Sequence, residues 1–315
     1  MNRRNFIKDA TAIAALGATV PFANVSAEVL PAVPQQKVEI YSFSKLFQFL
    51  SYDELATVFK ESGIDGIDLT VRKGGHVEPE NVERDLPKAV NAAQKLGMTI
   101  PCMVTDISDV DNPLTLRVIK TASENGLKFY RMAYYRYDYR KSMPENFEIF
   151  RTKMEQLAEL NAKYNISGGY QNHYGTNFGA TAWEIWEVIK KMDKQKIGCF
   201  YDILHGVVEG LQSWPNALRA IAPHVTMRYI KDFYLAATEK NTRIVVCELG
   251  KGMINFSQYF RICREMNMNQ PFCLHIEYDL FNADEEKSLS HAEKYKKALM
   301  IMKRDTDILK GMLQG

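Results

Sequence analysis

The sequence predicts a single (β/α)8 barrel, the TIM-barrel class of α/β fold, after a short N-terminal segment. Eight short apolar runs of the kind that form buried parallel strands recur along the chain, and a stretch with helical periodicity follows each one. No Pro/Gly-rich linker divides the chain, and the Gly-rich phosphate loop of an open doubly wound sheet is missing. Eight strand–helix units in fewer than about 300 residues therefore favour a closed barrel.

The boundaries of these units follow from local sequence. The predicted strands are residues 38–43, 66–71, 99–104, 127–133, 166–171, 197–203, 225–230 and 271–278. Two capping boxes, Ser51 with Glu54 and Ser142 with Glu145, mark helix starts, and Asn112 precedes a proline at a first helical position. Three glycines lie where helices should end, shortly before strands: Gly63, Gly97 and Gly126.

The first 27 residues differ from the rest of the chain. Arg3 and Arg4 precede a weakly apolar, Ala-rich run that is too short to span a membrane as a helix, and small residues follow it. This pattern resembles a twin-arginine export signal. We therefore expect a signal segment over residues 1–27, a barrel over 28–315 and a periplasmic location. An ordinary basic N-terminal helix remains the alternative.

Composition excludes several classes of function. The formal net charge is only +2, with 46% hydrophobic and 25% charged residues, so neither a nucleic-acid surface nor a membrane span in the mature form is expected. The five cysteines form no CxxC pair, which favours buried thiols, although a disulfide stays open. A small carbohydrate is the expected partner, and a homo-oligomer is an open alternative.

Polar side chains are dense where the predicted strands end, which is where (β/α)8 barrels carry their chemistry. The second, fifth, sixth, seventh and eighth strands end in DLTVRKGGH, QNH, DILH, YIKD and HIEY. Because strand side chains alternate, Tyr229 and Lys231 share one face, and His275 and Glu277 share another. Lys231 and Asp232 are neighbours and should therefore point to opposite faces of the strand.

The segments GIDLTVR, GGHV, QNH, YDILH and KDFY resemble the xylose-isomerase-like barrel superfamily of sugar isomerases and epimerases, in particular its exported members. That resemblance implies a metal held at the ends of strands five to eight. The corresponding positions carry Gln171, Asp202, Tyr229 and Glu277, with His205 three residues after the strand-six acid. Two of the four implied ligands, Glu and His, are thus replaced by Gln171 and Tyr229.

We therefore expect a divalent metal, Mg²⁺, Mn²⁺ or Zn²⁺, on Asp202 with help from Glu277, Gln171 and His205. Only one clear base is left, so one-base chemistry next to a sugar carbonyl is expected. Glu277, Lys231 or His173 would carry the proton. The expected substrate-binding residues are Arg72, His76, Arg131, Tyr134, Asn172 and Tyr229.

Each assignment has a structural alternative. Asp202 and His205 would equally suit a helix cap with a partnered histidine, Lys231 would suit a plain ion pair, and His275 would suit a buried core. For function, a lyase or hydratase acting on keto-glycosides and a non-catalytic carbohydrate-binding barrel remain open. An apurinic endonuclease is disfavoured because only six histidines and a near-neutral charge are available.

Overall fold

A computed structural model of the chain describes residues 38–237 and 242–314. Eight parallel strands close into a barrel in the order β1, β10, β7, β6, β5, β4, β3, β2, which confirms the predicted fold class. The barrel strands are β1 Ile40–Phe43, β2 Gly66–Val71, β3 Thr99–Thr105, β4 Phe129–Arg131, β5 Ser167–Gln171, β6 Ile197–Asp202, β7 Val225–Ile230 and β10 Phe272–Leu274. The predicted signal segment lies outside the described residues.

Within residues 38–237 and 242–314, ten α-helices cover the outside of the barrel or lie in its loops. They are α1 Tyr52–Glu61, α2 Val82–Lys95, α3 Pro113–Glu124, α4 Met143–Tyr164, α5 Ala182–Ile189, α6 Ile203–Gly210, α7 Trp214–Ile221, α8 Phe256–Glu265, α9 Ala283–Ser288 and α10 His291–Gln314. None of these helices in the described ranges is long and apolar enough to cross a membrane. All five cysteines are free thiols.

The helix boundaries confirm the predicted capping chemistry. Both capping boxes form, at Ser51 before α1 and at Ser142 before α4, and the Asn112 side chain caps α3. Gly63, Gly97 and Gly126 have φ angles of 75°, 65° and 83°. Left-handed backbone of this kind is accessible to glycine at little cost, which explains why these helices end there.

One element was not predicted. Strands β8 Asp232–Ala237 and β9 Thr242–Cys247 form an antiparallel hairpin after β7, separate from the barrel sheet. Apart from its first two residues the hairpin is exposed or half-buried, unlike the barrel strands. The hairpin leaves the barrel mouth at the residue after Lys231.

The barrel interior is filled with side chains rather than open. Its buried cluster combines aromatic, aliphatic and thiol groups, including Tyr41, Phe200, Met227, Tyr229 and Cys273. The larger apolar cluster lies between the strands and the surrounding helices. Because the interior is closed below by this packing, chemistry is confined to the carboxyl-terminal mouth of the barrel.

A test of this packing uses Gly169 on β5. A Cβ atom there would overlap the ring of Phe200, which is fully buried. We expect Gly169→Ala to destabilise the fold by about 1–3 kcal/mol, measured as a lower thermal midpoint. Gly311→Ala is the control, since α10 leaves open space there and alanine should stabilise the helix by about 0.5–1 kcal/mol. Equal midpoints for the two variants would contradict this packing.

Candidate active site

A cavity of about 190 Å³ opens at the carboxyl-terminal end of the barrel strands. Seven of the residues predicted for the site line it: Arg72, Arg131, Tyr134, Gln171, His173, Lys231 and Glu277. They come together because β4, β5, β6, β7 and β10 are consecutive neighbours in the barrel. Lys45, Phe43 and His275 also face the cavity, although none of them was predicted for the site.

Lys231 lies at the centre of the site. Its Nζ atom is 2.6 Å from Glu277 Oε2 and 3.0 Å from Asp202 Oδ2, and its side chain is only 3% exposed. Strand alternation sends the neighbours Lys231 and Asp232 to opposite faces, and Lys231 is the one that faces the cavity. Asp232 instead accepts hydrogen bonds from the backbone N–H groups of Gly250 and Gly252, away from the cavity.

The ion pairs set the charge states of these groups. Burial alone would lower the pKa of Lys231, but the carboxylates of Asp202 and Glu277 outweigh it and hold that pKa above its usual value. Burial would likewise raise the pKa of Glu277, but the Lys231 ammonium outweighs it and holds that pKa well below its usual value. At neutral pH the lysine is therefore charged and Glu277 is a carboxylate.

Asp202 is fixed from several sides. Its Oδ1 atom accepts hydrogen bonds from the backbone N–H groups of Leu204, at 3.0 Å, and His205, at 3.4 Å, and so caps α6. The Asn172 side chain bonds both the N–H and the C=O of Asp202. The cap that was the structural alternative for Asp202 is thus present, while Oδ2 remains directed at Lys231.

Gln171 links this group to the next strand. Its Nε2 donates to Asp202 Oδ2 at 2.8 Å, and its Oε1 accepts from the Tyr134 hydroxyl at 2.7 Å. An ionised carboxylate only accepts hydrogen bonds, so the amide nitrogen must face Asp202. The amide oxygen, the one atom of Gln171 that could bind a metal, is turned towards Tyr134. Arg131 lies over the Tyr134 ring at 4.8 Å.

Two histidines stack beside the cavity. The rings of His173 and His205 are 4.0 Å apart. Burial lowers the pKa of His173 and, more strongly, that of His205, so both are neutral at pH 7. His173 Nδ1 lies 2.9 Å from the carbonyl oxygen of Tyr174, which can only accept a hydrogen bond. The proton is therefore on Nδ1, and Nε2 carries a free lone pair.

Three predicted substrate-binding residues do not face the cavity. His76 Nδ1 lies 2.9 Å from Thr70 Oγ1, and burial lowers the pKa of His76 to about 4, so it braces the loop after β2 as a neutral ring. Asn172 is fully buried against Asp202. Tyr229 is also fully buried, and its hydroxyl donates to Asp68. These contacts hold the walls of the site, and contact of the three residues with substrate stays a prediction.

Lys45 was missed because the polar residues after the first strand were not weighed. It lies two residues beyond β1, and its Nζ atom is 3.3 Å from Glu277 Oε1. Glu277 therefore has a cation on each carboxylate oxygen. Arg72 and Arg131 carry two further positive charges to the cavity, and neither has an ion-pair partner within residues 38–237 and 242–314.

A comparison with protein families matches residues 56–304 to the family described as xylose isomerase-like TIM barrel. The chain belongs to this family. Curated protein sequences give no match. The exported branch of the family expected from residues 1–27 stays a prediction.

Solved structures share the family fold. A probable 3-DHS dehydratase from Bacillus anthracis is 16% identical with a TM-score of 0.63, over 86% of this chain and 98% of that one. A 3-keto-D-glucoside 4-epimerase from E. coli is 14% identical with a TM-score of 0.60, over 85% and 100%. A D-psicose 3-epimerase from Clostridium cellulolyticum H10, solved with D-tagatose, is 11% identical with a TM-score of 0.64, over 87% and 99%. At these identities the likeness shows the fold alone.

The residues at the family's metal positions do not fit a metal in this chain. Asp202 and Glu277 are both bonded to the Lys231 ammonium, and Gln171 presents N–H groups to Asp202. The hydroxyl of Tyr229 donates to Asp68, on a different strand. Oxygen ligands hold Mg²⁺ at about 2.0–2.1 Å. A lysine bonded to both carboxylates takes the space that such an ion would need.

A different group within the described ranges has the composition of a metal site. Ligand atoms of Asp68, Cys273 and His275 lie within 4.8 Å of one another, and all three residues are buried. Burial raises the pKa of Asp68, and the Tyr229 hydroxyl and the Cys273 thiol lie 3.1 Å and 3.6 Å from its Oδ2. Burial is the largest influence on this pKa, and the hydrogen bond from the Tyr229 hydroxyl opposes it.

The stability that Glu277 contributes should depend on pH in a defined way. Its folded-state pKa is lower than its unfolded value, so its contribution is complete above the unfolded pKa of about 4.3 and is lost as the pH falls through the folded pKa. We expect wild type to melt several degrees above Glu277→Gln at pH 7. Thermal unfolding should show the difference shrinking only below about pH 4.3. Glu155→Gln, at an exposed site on α4, is the control and should change little. A difference that persists unchanged into strong acid would contradict the ion pair.

Proposed function

We propose that this protein is an isomerase- or epimerase-like enzyme that removes a proton from the carbon next to the carbonyl of a sugar or sugar derivative. One observation carries the proposal: a charged, immobilised Lys231 and a neutral His173 with a free Nε2 face the same cavity. A fixed cation beside a base is the arrangement that carbon-acid chemistry requires.

The chemistry uses these residues in simple roles. Nε2 of His173 accepts the proton from carbon, and the electrons of the C–H bond move to the carbonyl oxygen to form an enolate. Lysine has three ammonium hydrogens, and Asp202 and Glu277 use two of them. The third donates to the enolate oxygen. Transfer of the adjacent hydroxyl proton to the enolate oxygen, together with return of the carbon proton from His173 to the former carbonyl carbon, gives isomerisation. Epimerisation would need a second proton donor on the opposite face of the substrate.

Of the three proton carriers predicted from the sequence, His173 suits the role best. Glu277 is held as a weak base because its pKa is lowered well below the usual range and both its oxygens face lysines. Lys231 stays protonated because its pKa is raised, so it serves as an acid or an oxyanion partner rather than a base. The pKa of His173 is lowered by burial and its Nδ1 proton is held by the Tyr174 carbonyl, so its Nε2 is left as the acceptor.

The remaining wall suits an oxygen-rich ligand. Arg72 and Arg131 offer guanidinium groups to sugar oxygens, and Tyr134 offers an aromatic face. The volume of about 190 Å³ is below the range of about 300–1,000 Å³ for drug-sized pockets, so a single sugar unit is favoured.

β-Elimination from a keto-glycoside is a second candidate, because it begins with the same proton abstraction. The fold likeness to a dehydratase and to a 3-keto-D-glucoside 4-epimerase supports keto-sugars as the class to test. A periplasmic location, proposed from residues 1–27, would also favour glycosides that occur outside the cytoplasm. Metal assistance, which the family resemblance implied, finds no support in the geometry of Asp202 and Glu277.

Proton abstraction can be measured without knowing the final product. Ketohexoses and 3-keto-glucosides incubated with the protein in D₂O should lose the NMR signal of the hydrogen next to the carbonyl. We expect His173→Gln to slow this exchange by about 10²–10⁴-fold, the usual contribution of a general base. A new alkene or released aglycone would identify elimination rather than isomerisation.

His291→Gln is the matched control, since His291 lies on the surface at the start of α10. It should exchange substrate hydrogens at the wild-type rate. Keto-sugars that bind without any exchange would instead favour a non-catalytic carbohydrate-binding barrel. Exchange that His173→Gln leaves unchanged would show that the base is another residue.

A further inference from the structure

We infer that the ammonium of Lys231 takes the place of a divalent cation in this pocket, so that Asp202 and Glu277 bind no divalent metal while Lys231 is present. The inference rests on the proposed function only in treating this cavity as the active site. It concerns which cation the two carboxylates hold, and that can be measured without any substrate.

The two carboxylates converge on one position, and Lys231 fills it. Nζ lies within 3.0 Å of an oxygen from each of them. The Lys231 side chain is almost fully buried in this position. A metal would have to displace a charged lysine into the barrel or wait for it to lose a proton, and the paired carboxylates oppose both.

The charges of the site balance without a metal. Asp202 and Glu277 contribute two negative charges, and Lys231 and Lys45 contribute two positive charges in direct contact with them. Two lysines thus supply the charge that one divalent ion would bring. A divalent ion added to this set would be an uncompensated charge in a largely buried site, which is costly.

Gln171 fits this arrangement better than a carboxylate would. Its amide nitrogen donates to the Asp202 oxygen that Lys231 also contacts. A glutamate at this position would have no hydrogen to donate and would place a second carboxylate against Asp202, with only Lys231 to neutralise both. Gln171 and Lys231 therefore complement each other. Gln171 places a hydrogen-bond donor where a metal site would have a carboxylate ligand, and Lys231 places one where it would have the metal.

The experiment compares Mn²⁺ binding by wild type and Lys231→Ala with isothermal titration calorimetry. Removing the lysine vacates the position between two carboxylates, so we expect Lys231→Ala to bind Mn²⁺ at least about tenfold more tightly than wild type. Mn²⁺ should also raise the thermal midpoint of this variant. The double variant Lys231→Ala/Asp202→Asn should lose both effects.

Lys45→Ala is the matched control. It also removes a lysine from Glu277, but this side chain is 43% exposed and does not lie between the carboxylates. It should therefore gain no Mn²⁺ site. A gain equal to that of Lys231→Ala would mean that net charge alone, and not the occupied position, governs metal binding, which would overturn the inference.

Wild type provides a test that does not depend on any variant of Lys231. Mn²⁺ and EDTA should leave its thermal midpoint unchanged within error. Tight Mn²⁺ binding by wild type that Asp202→Asn abolishes would overturn the inference while leaving the proposed proton transfer intact. If wild type instead binds no metal and exchanges no substrate hydrogen in D₂O, the proposed function fails and the inference stands. The two failures are therefore distinguishable.

Discussion

The site depends on the neutralisation of Asp202, whose side chain is wholly buried. A buried carboxylate without a partner would cost several kcal/mol, and Lys231 removes that cost only because β7 places it within 3.0 Å. The lysine in turn needs Glu277, since burial alone would push it towards the neutral form. Three neighbouring strands must therefore end in register for any of the three charges to be stable.

Hydrogen bonds connect the ion pairs to the side chains around them. Gln171 orients on Asp202 because its other end is held by Tyr134, and the Tyr134 ring in turn packs against Arg131. The Asn172 side chain holds the Asp202 backbone by hydrogen bonds to its N–H and C=O groups. The polar mouth is thus one connected network spanning β4 to β10, and such networks hold reacting groups in place when all their members are satisfied.

The fold and the site were predictable to different degrees for a physical reason. Strand runs and helix caps are local patterns, so the barrel and its boundaries at Ser51 and Ser142 could be recognised directly. Alternation also placed the neighbours Lys231 and Asp232 on opposite faces of the strand. An ion pair was one of the alternatives for Lys231, but local patterns could not decide between it and a metal site, because Asp202, Lys231 and Glu277 are distant in sequence and meet only through barrel closure. The family resemblance implied a metal at the position where the structure has the Lys231 ammonium.

The ion triad of Asp202, Lys231 and Glu277 would by itself only stabilise the fold. The positive charge around it is what makes it suited to catalysis. Lys45, Lys231, Arg72 and Arg131 face the cavity. Among the described residues Glu277 is the only carboxylate that lines it, and Asp202 is buried beside Lys231. The negative charges of Asp202 and Glu277 are paired with lysine, so the cavity keeps a net positive charge. A developing enolate would therefore enter a site whose positive groups are already fixed, without the reorganisation that water would need. The same interactions that make the buried Asp202 tolerable thus leave one ammonium hydrogen and two guanidinium groups for a substrate oxygen.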